Sequence, residues 1–216
     1  GTSLWAAPIT NSTAKNSNND IRYIGKSQDI SILFAGNDFI CINNKTALQV
    51  LPLDNLQSDP LELSKIFVRE KDSSSIGGLG NNDITKAKEF SETNWGLFRR
   101  GGRWVLRGRK KSLDENGFKD FDIAYAAPRS LTTYDDLYPS FNTIKTKIPE
   151  AVDAFSSPNK DFVVVLTDKE LLTLPIQGSS LGDVKQRMPL KRYETAVMAS
   201  WATGHYVDEW SKVVKQ

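Results

Sequence analysis

The chain has 216 residues, 39% of them hydrophobic and 25% charged, with a formal net charge of +2, which suits one globular domain or two small ones sharing a core. A single cysteine, Cys41, and a single histidine, His205, exclude an intrachain disulfide, a multi-cysteine metal centre and a His-rich zinc site. No apolar run approaches the roughly 18 to 20 residues of a membrane-spanning helix.

Residues 1–19 read as a disordered polar tail. Within it, Ser3-Leu4-Trp5-Ala6-Ala7-Pro8 has the small and apolar character of the end of an export signal, and an Asn/Ser/Thr tract follows. This places the protein outside the cell or in the cell envelope after signal removal; a plain tail on a cytoplasmic protein is the alternative. A single globular domain spans 20–216, or two lobes joined by the loop at 71–83.

"DISILFAGNDFICIN", 29–43, alternates apolar residues on either side of Gly36-Asn37-Asp38 and reads as a β-hairpin whose turn uses positive φ. "ALQVLPL", 47–53, is a third strand. "DPLELSKIF", 59–67, has Asp59 as a cap and Pro60 in the first turn of a helix. "KDSSSIGGLGNND", 71–83, offers little to bury and reads as a loop, and a short helix follows over 84–90.

"RRGGRWVLRGRKK", 99–111, carries seven cations against a chain total of +2, which leaves −5 for the rest. Gly101-Gly102 suits a two-residue type I′ turn, with positive φ at both positions. Arg100 then faces Arg103, Arg99 faces Trp104, Phe98 faces Val105 and Leu97 faces Leu106. One face holds Trp95, Leu97, Arg99, Trp104 and Leu106; the other holds Phe98, Arg100, Arg103, Val105 and Arg107. Arg99 stacks on Trp104 in this register. The expectation is a solvent-exposed docking finger in which Arg99, Arg100, Arg103, Trp104, Arg107, Arg109, Lys110 and Lys111 meet an anionic polymer or an acidic protein or envelope surface. The competing reading is a solvated hairpin whose charges discourage edge-to-edge association.

Further on, "DFDIAYA", 120–126, is a strand. Residues 134–155 read as short helices interrupted at Pro139 and Pro149, with Asp135 and Asp136 as first-turn acids. "DFVVVLTDKELLTLPI", 161–176, is a second clear hairpin turning at Thr167-Asp168-Lys169. Residues 189–216 read as one long helix with Tyr193, Val197 and Trp201 on a face continued by Trp210, Val213 and Val214, and with Gly204 as its weak point.

The two apolar hairpins align without gaps. Ile30 falls on Phe162, Ile32 on Val164, Leu33 on Val165, Phe34 on Leu166, Phe39 on Leu171, Ile40 on Leu172 and Ile42 on Leu174. "VDAFSSPNKDFVVVLTDKELLTL" resembles a hemopexin-type propeller repeat, in which a short "DAAF"-like strand precedes an aromatic-rich hairpin; Leu and Ile stand here where that family has aromatics. The resemblance implies a binding scaffold rather than an enzyme. A shared apolar alternation without common descent is the alternative. "WGLFRRGGRWV" also resembles a single WG-type β-repeat.

Catalytic signals are sparse. His205 has Asp208 and Glu209 three and four residues on, either able to orient its ring on a helix, and Cys41 would complete a nucleophile–base–acid set. Cys41, flanked by Ile40 and Ile42, reads better as a buried small hydrophobe. Trp201, Tyr206 and Trp210 read either as an aromatic ligand box or as core. No phosphate loop, dinucleotide fingerprint or serine elbow is present, and no residue is assigned to catalysis, a metal or a cofactor.

These observations point to an α+β protein of antiparallel β-hairpins with a packed C-terminal helix, a small propeller-like all-β fold being the alternative. The function they favour is a non-catalytic binding or interaction module. The alternatives are a polyanion or nucleic-acid binder acting through 99–111 and a hydrolase-type enzyme using the His205 region.

Overall fold

A computed structural model describes residues 30–44, 46–56, 58–71, 91–112, 117–132, 135–191 and 194–214. The expected tail, most of the 71–83 loop and the expected helix at 84–90 lie outside these residues. The fold is α+β, built from three antiparallel sheets, each made of strands consecutive in the chain.

The first sheet is a meander of β1 (Ser31–Ala35), β2 (Phe39–Asn43) and β3 (Leu48–Pro52). The β1–β2 turn closes through the Gly36 N–H donating to the Phe39 carbonyl at 2.8 Å. Among the described residues, positive φ occurs at Lys160, Gly101, Gly102, Gly178 and Gly204, so this turn does not use it. Gly36 is required for space instead: a Cβ there would lie 2.8 Å from the Phe34 ring.

The first helix, α1 (Leu63–Lys71), starts later than the sequence implies, and Asp59 does not cap it. The preceding residues are held extended against the sheet. Leu61 N–H bonds to the Val50 carbonyl at 2.9 Å, and Trp95 Nε1 donates to the Leu61 carbonyl at 2.7 Å.

The second sheet holds β4 (Trp95–Arg100), β5 (Arg103–Lys111) and β6 (Phe118–Ala126). Phe34, Cys41, Val50, Ile66, Trp95, Leu97, Trp104 and Leu106 form one core shared by the first two sheets and α1.

Between Pro139 and Pro149 runs α2 (Phe141–Lys147), capped by Ser140, whose Oγ accepts the Thr143 N–H at 3.2 Å. Residues 153–155, expected to be helical, belong instead to the strand β7 (Asp153–Ser156), which pairs along its whole length with β8 (Phe162–Leu166). Pro149 stops the helix, and the Val152 N–H is captured by the Leu166 carbonyl at 2.8 Å.

The third sheet continues through β9 (Glu170–Gln177), which pairs on its far side with both β10 (Ser180–Leu181) and β11 (Gln186–Pro189). The two hairpins that align in sequence pair in different registers: Leu166 faces Leu171, whereas the aligned Phe34 faces Cys41 beside a bulge. Phe34 and Val164 are buried, as their alternation implies.

The long C-terminal helix is reduced to α3 (Tyr206–Val214). The described residues before it, 190–191 and 194–205, are irregular. Leu190 N–H bonds to the Lys169 carbonyl and Ala35 N–H to the Val197 carbonyl, each at 2.7 Å. Ala196, Ala199 and Trp201 cover Phe155, Val164 and Leu166 on the outer side of the third sheet. Hydrogen bonds to two sheets outcompete helical ones here, and the helix starts only after Gly204, at φ 58. On α3, Tyr206, Trp210 and Val213 are 50, 41 and 72% exposed.

Candidate functional site: the basic hairpin

Gly101 and Gly102 have φ of 55 and 83, the left-handed values a type I′ turn needs. The register is Arg100 to Arg103, Arg99 to Trp104, Phe98 to Val105 and Leu97 to Leu106, as the glycine pair implies. The two faces also sort as alternation dictates. Trp95, Leu97, Trp104 and Leu106 are buried, whereas Arg100 and Arg103 are exposed and Phe98, Val105 and Arg107 half-buried.

The tip is not a free finger. A Cβ on Gly102 would lie 2.1 Å from Leu137, and one on Gly101 3.3 Å from Phe141 of α2. The Gly102 N–H donates to Asp153 Oδ1 at 2.8 Å. Arg99, expected in solvent, has a side chain only 5% exposed. Its Nε donates to Asp153 Oδ2 at 2.8 Å, its Nη2 to the Ala154 carbonyl at 2.7 Å, and its Nη1 to Asp135 Oδ1. The guanidinium lies 3.8 Å from the Phe155 ring centroid and 5.2 Å from that of Trp104, so the expected stacking on Trp104 is present, inside the protein. Asp135 Oδ2 accepts the Trp104 N–H at 2.9 Å and Asp153 Oδ1 accepts the Ala154 N–H at 2.9 Å. Asp135 is thus a buried ion-pair partner rather than a first-turn helix acid. Burial raises its carboxyl above the usual carboxylate range against the opposing pull of Arg99. Arg99 and Trp104 join the second sheet to the third and do not form a ligand surface.

The outer face is different. Arg100 Nη1 and Nη2 lie 2.5 and 3.1 Å from the two Asp122 oxygens, and Arg107 Nε lies 2.9 Å from Asp122 Oδ1. Hydrogen bonds from Arg100 and then Arg107 hold the Asp122 carboxyl at about 2. Arg107 also covers Phe98, its guanidinium 4.8 Å from the ring centroid. Arg109 is 11% exposed; it pairs with Asp120 at 2.6 and 3.0 Å and donates to Asn43 Oδ1 and the Asn44 carbonyl, both at 2.8 Å. That residue ties the second sheet to the first. Lys110 sits across the ladder from Lys119, its Nζ 5.6 Å from the Phe121 ring. Arg103 and Lys111 are exposed and form no ion pair with a described residue.

The acids that neutralise part of the cluster lie outside the 99–111 run. Asp120 and Asp122 alternate on the very next strand, and pairing β6 against β5 puts them opposite Arg109 and Arg107. That signal was available. Asp135 and Asp153, 36 and 54 residues from Arg99, carried none.

The proposed catalytic set does not assemble. Cys41 is fully buried in the first core, close under Gly96, and burial pushes its thiol up to about 12. His205 is exposed, its ring against Tyr206. The aromatic box is likewise divided, with Trp201 packed edge-on against Phe162 and Tyr206 and Trp210 largely in solvent. Among the described residues no group of three or more His, Cys, Asp or Glu side chains is placed to hold a metal, and no helix is long and apolar enough to cross a membrane. No family model, curated protein or solved structure matches the chain.

Proposed function

We propose that the chain is a non-catalytic binding module whose ligand is anionic and whose ligand face is the outer face of the β4–β5–β6 sheet. The observation that carries this reading is an imbalance of charge among the described residues: Arg100 and Arg107 share one carboxylate, Asp122, and Arg103 beside them has none. Arg103 stands directly opposite Arg100, a like-charge pair of which only Arg100 has a counter-ion, Asp122; an anion at Arg103 would complete the neutralisation. Lys111 extends the same face at the far end of β5. A nucleophile as deeply buried as Cys41 argues against the hydrolase alternative.

Retention on heparin and on single-stranded DNA at low salt tests the proposal. The variant to compare is Arg103→Glu with Lys111→Glu, since neither side chain has a structural partner among the described residues. The double variant is expected to lose retention while melting like the parent. With three or four cations engaged, log affinity on single-stranded DNA should fall against log salt with a slope of about −2 to −3. Equal retention of parent and variant overturns the proposal.

A further inference from the structure

The outer face of the β4–β5–β6 sheet carries a large open ring beside its cations. Phe118 opens β6, is 45% exposed and stands directly opposite Lys111 of β5. Side chains paired across a ladder have Cβ atoms about 4.5 to 5.5 Å apart, so a group resting on the ring lies within reach of the lysine ammonium. Alternation puts Arg103, Arg107, Arg109 and Lys111 on this side of β5, Arg100 beside them on β4, and Asp120 and Asp122 on β6. Five cations thus share the face with two carboxylates among the described residues of the three strands. Arg107 and Arg109 are committed to the fold: Arg107 lies over Phe98, and Arg109 is anchored by Asp120, Asn43 and Asn44. Arg103 and Lys111, at the two ends of β5, are exposed.

We propose that the ligand of this face is a single-stranded nucleic acid laid along β5, with one base stacked on Phe118 and its phosphates in contact with Lys111 and Arg103. The inference rests on the anion-binding reading above. The run from Arg103 to Lys111 extends about 26 Å at roughly 3.3 Å per residue, which suits an extended polymer rather than a compact anion. A solvent-facing ring beside that charge matches an unpaired nucleotide, which offers one planar face to stack and one phosphate to neutralise. In a duplex the bases are already stacked on one another, so the ring would receive nothing. A sulfated polysaccharide is met by cations alone and has no aromatic face for Phe118. A bilayer calls for a cluster of exposed apolar side chains, whereas Phe98 and Val105 on this face are half-buried. Binding uses the face as it stands, with Arg107 keeping its places on Phe98 and Asp122.

The test titrates a labelled oligothymidylate, duplex DNA of the same length and a heparin oligosaccharide against the parent, Phe118→Leu, Phe118→Tyr and the Arg103→Glu/Lys111→Glu variant. Phe118→Leu keeps the apolar bulk and removes the ring. It should bind oligothymidylate about 5- to 50-fold more weakly and heparin within about 2-fold of the parent. Phe118→Tyr, which restores a ring, should bind oligothymidylate within about 2-fold of the parent, and the charge-reversed variant should lose every probe. The parent should hold the single strand about 10-fold or more tighter than the duplex. Phe118→Trp gives an independent readout should the Leu variant melt abnormally: its added emission should be quenched by oligothymidylate and not by heparin. An equal effect of Phe118→Leu on oligothymidylate and heparin, or no effect on either, overturns the stacking platform and the choice of ligand while leaving anion binding intact. Duplex held as tightly as single strand overturns the single-strand assignment. Failure of the parent to bind any of the three probes removes the anion-binding reading itself.

Discussion

Arg99 and Arg100 are neighbours in the chain and opposites in the fold. Arg99 is a buried pin, hydrogen-bonded to two carboxylates and a carbonyl and stacked on Phe155. Arg100 is half in water, sharing Asp122 with Arg107. A strand sends consecutive side chains to opposite faces, so one residue of separation is enough to divide architecture from surface chemistry. The lesson concerns charge runs: density along a sequence says little about availability, because partners arrive from other strands.

The largest expected effect tests the buried half. Arg99→Ala strands Asp135 and Asp153 without their counter-charge and should cost about 3 to 5 kcal/mol in denaturant unfolding. An effect below about 1 kcal/mol would erase the distinction between the two arginines, since that is the size expected for Arg100→Ala at an exposed pair. Gly102→Val comes next. It forces a β-branched residue to φ 83 and drives a Cβ into Leu137, with an expected cost of about 2 to 3 kcal/mol. A melting temperature equal to the parent's would show that the tip is not docked.

The carboxylates on the two sides should titrate in opposite senses. Asp135 has a folded-state pKa raised by burial, so its ionised form costs stability, and stability rises as pH falls through that pKa. Asp122 is depressed from 3.8 to about 2, so its contribution is present above pH 4 and lost as pH falls toward 2. Solvent screening keeps that contribution under about 1 kcal/mol. Side-chain carboxyl titration by NMR resolves both, with Asp135→Asn and Asp122→Asn as assignments; a common midpoint for the two would break the comparison. The smallest effect is that of Arg103→Glu alone, expected to change stability by no more than about 0.5 kcal/mol. A larger loss would mean that Arg103 has a structural role like that of Arg99.

Local pattern carried much of the fold. The hairpins at 29–43, 95–111 and 161–177 rest on period-two alternation around a turn, and in the second the glycine pair dictated the register through its φ requirement. Helices were less legible. Residues 189–205 and 151–155 have helix-compatible spacing, yet Leu190 N–H bonds to Lys169 in the β8–β9 turn, the Val197 carbonyl accepts from Ala35 of β1, and 152–155 pair with β8. Tertiary hydrogen bonds override intrinsic preference in both segments.

The sequence by itself determined which residues share a face of the basic hairpin, where it turns, and that Cys41 is sealed in an apolar strand, because each follows from neighbours a few positions apart. Only the tertiary structure decided which face of the hairpin is buried and which of its cations remain for a ligand. Both faces end in arginine, and nothing local separates them. The choice falls to Asp135, Asp153, Leu137 and Phe141, which the chain supplies 31 residues and more downstream, and a charge is buried where such partners converge on it.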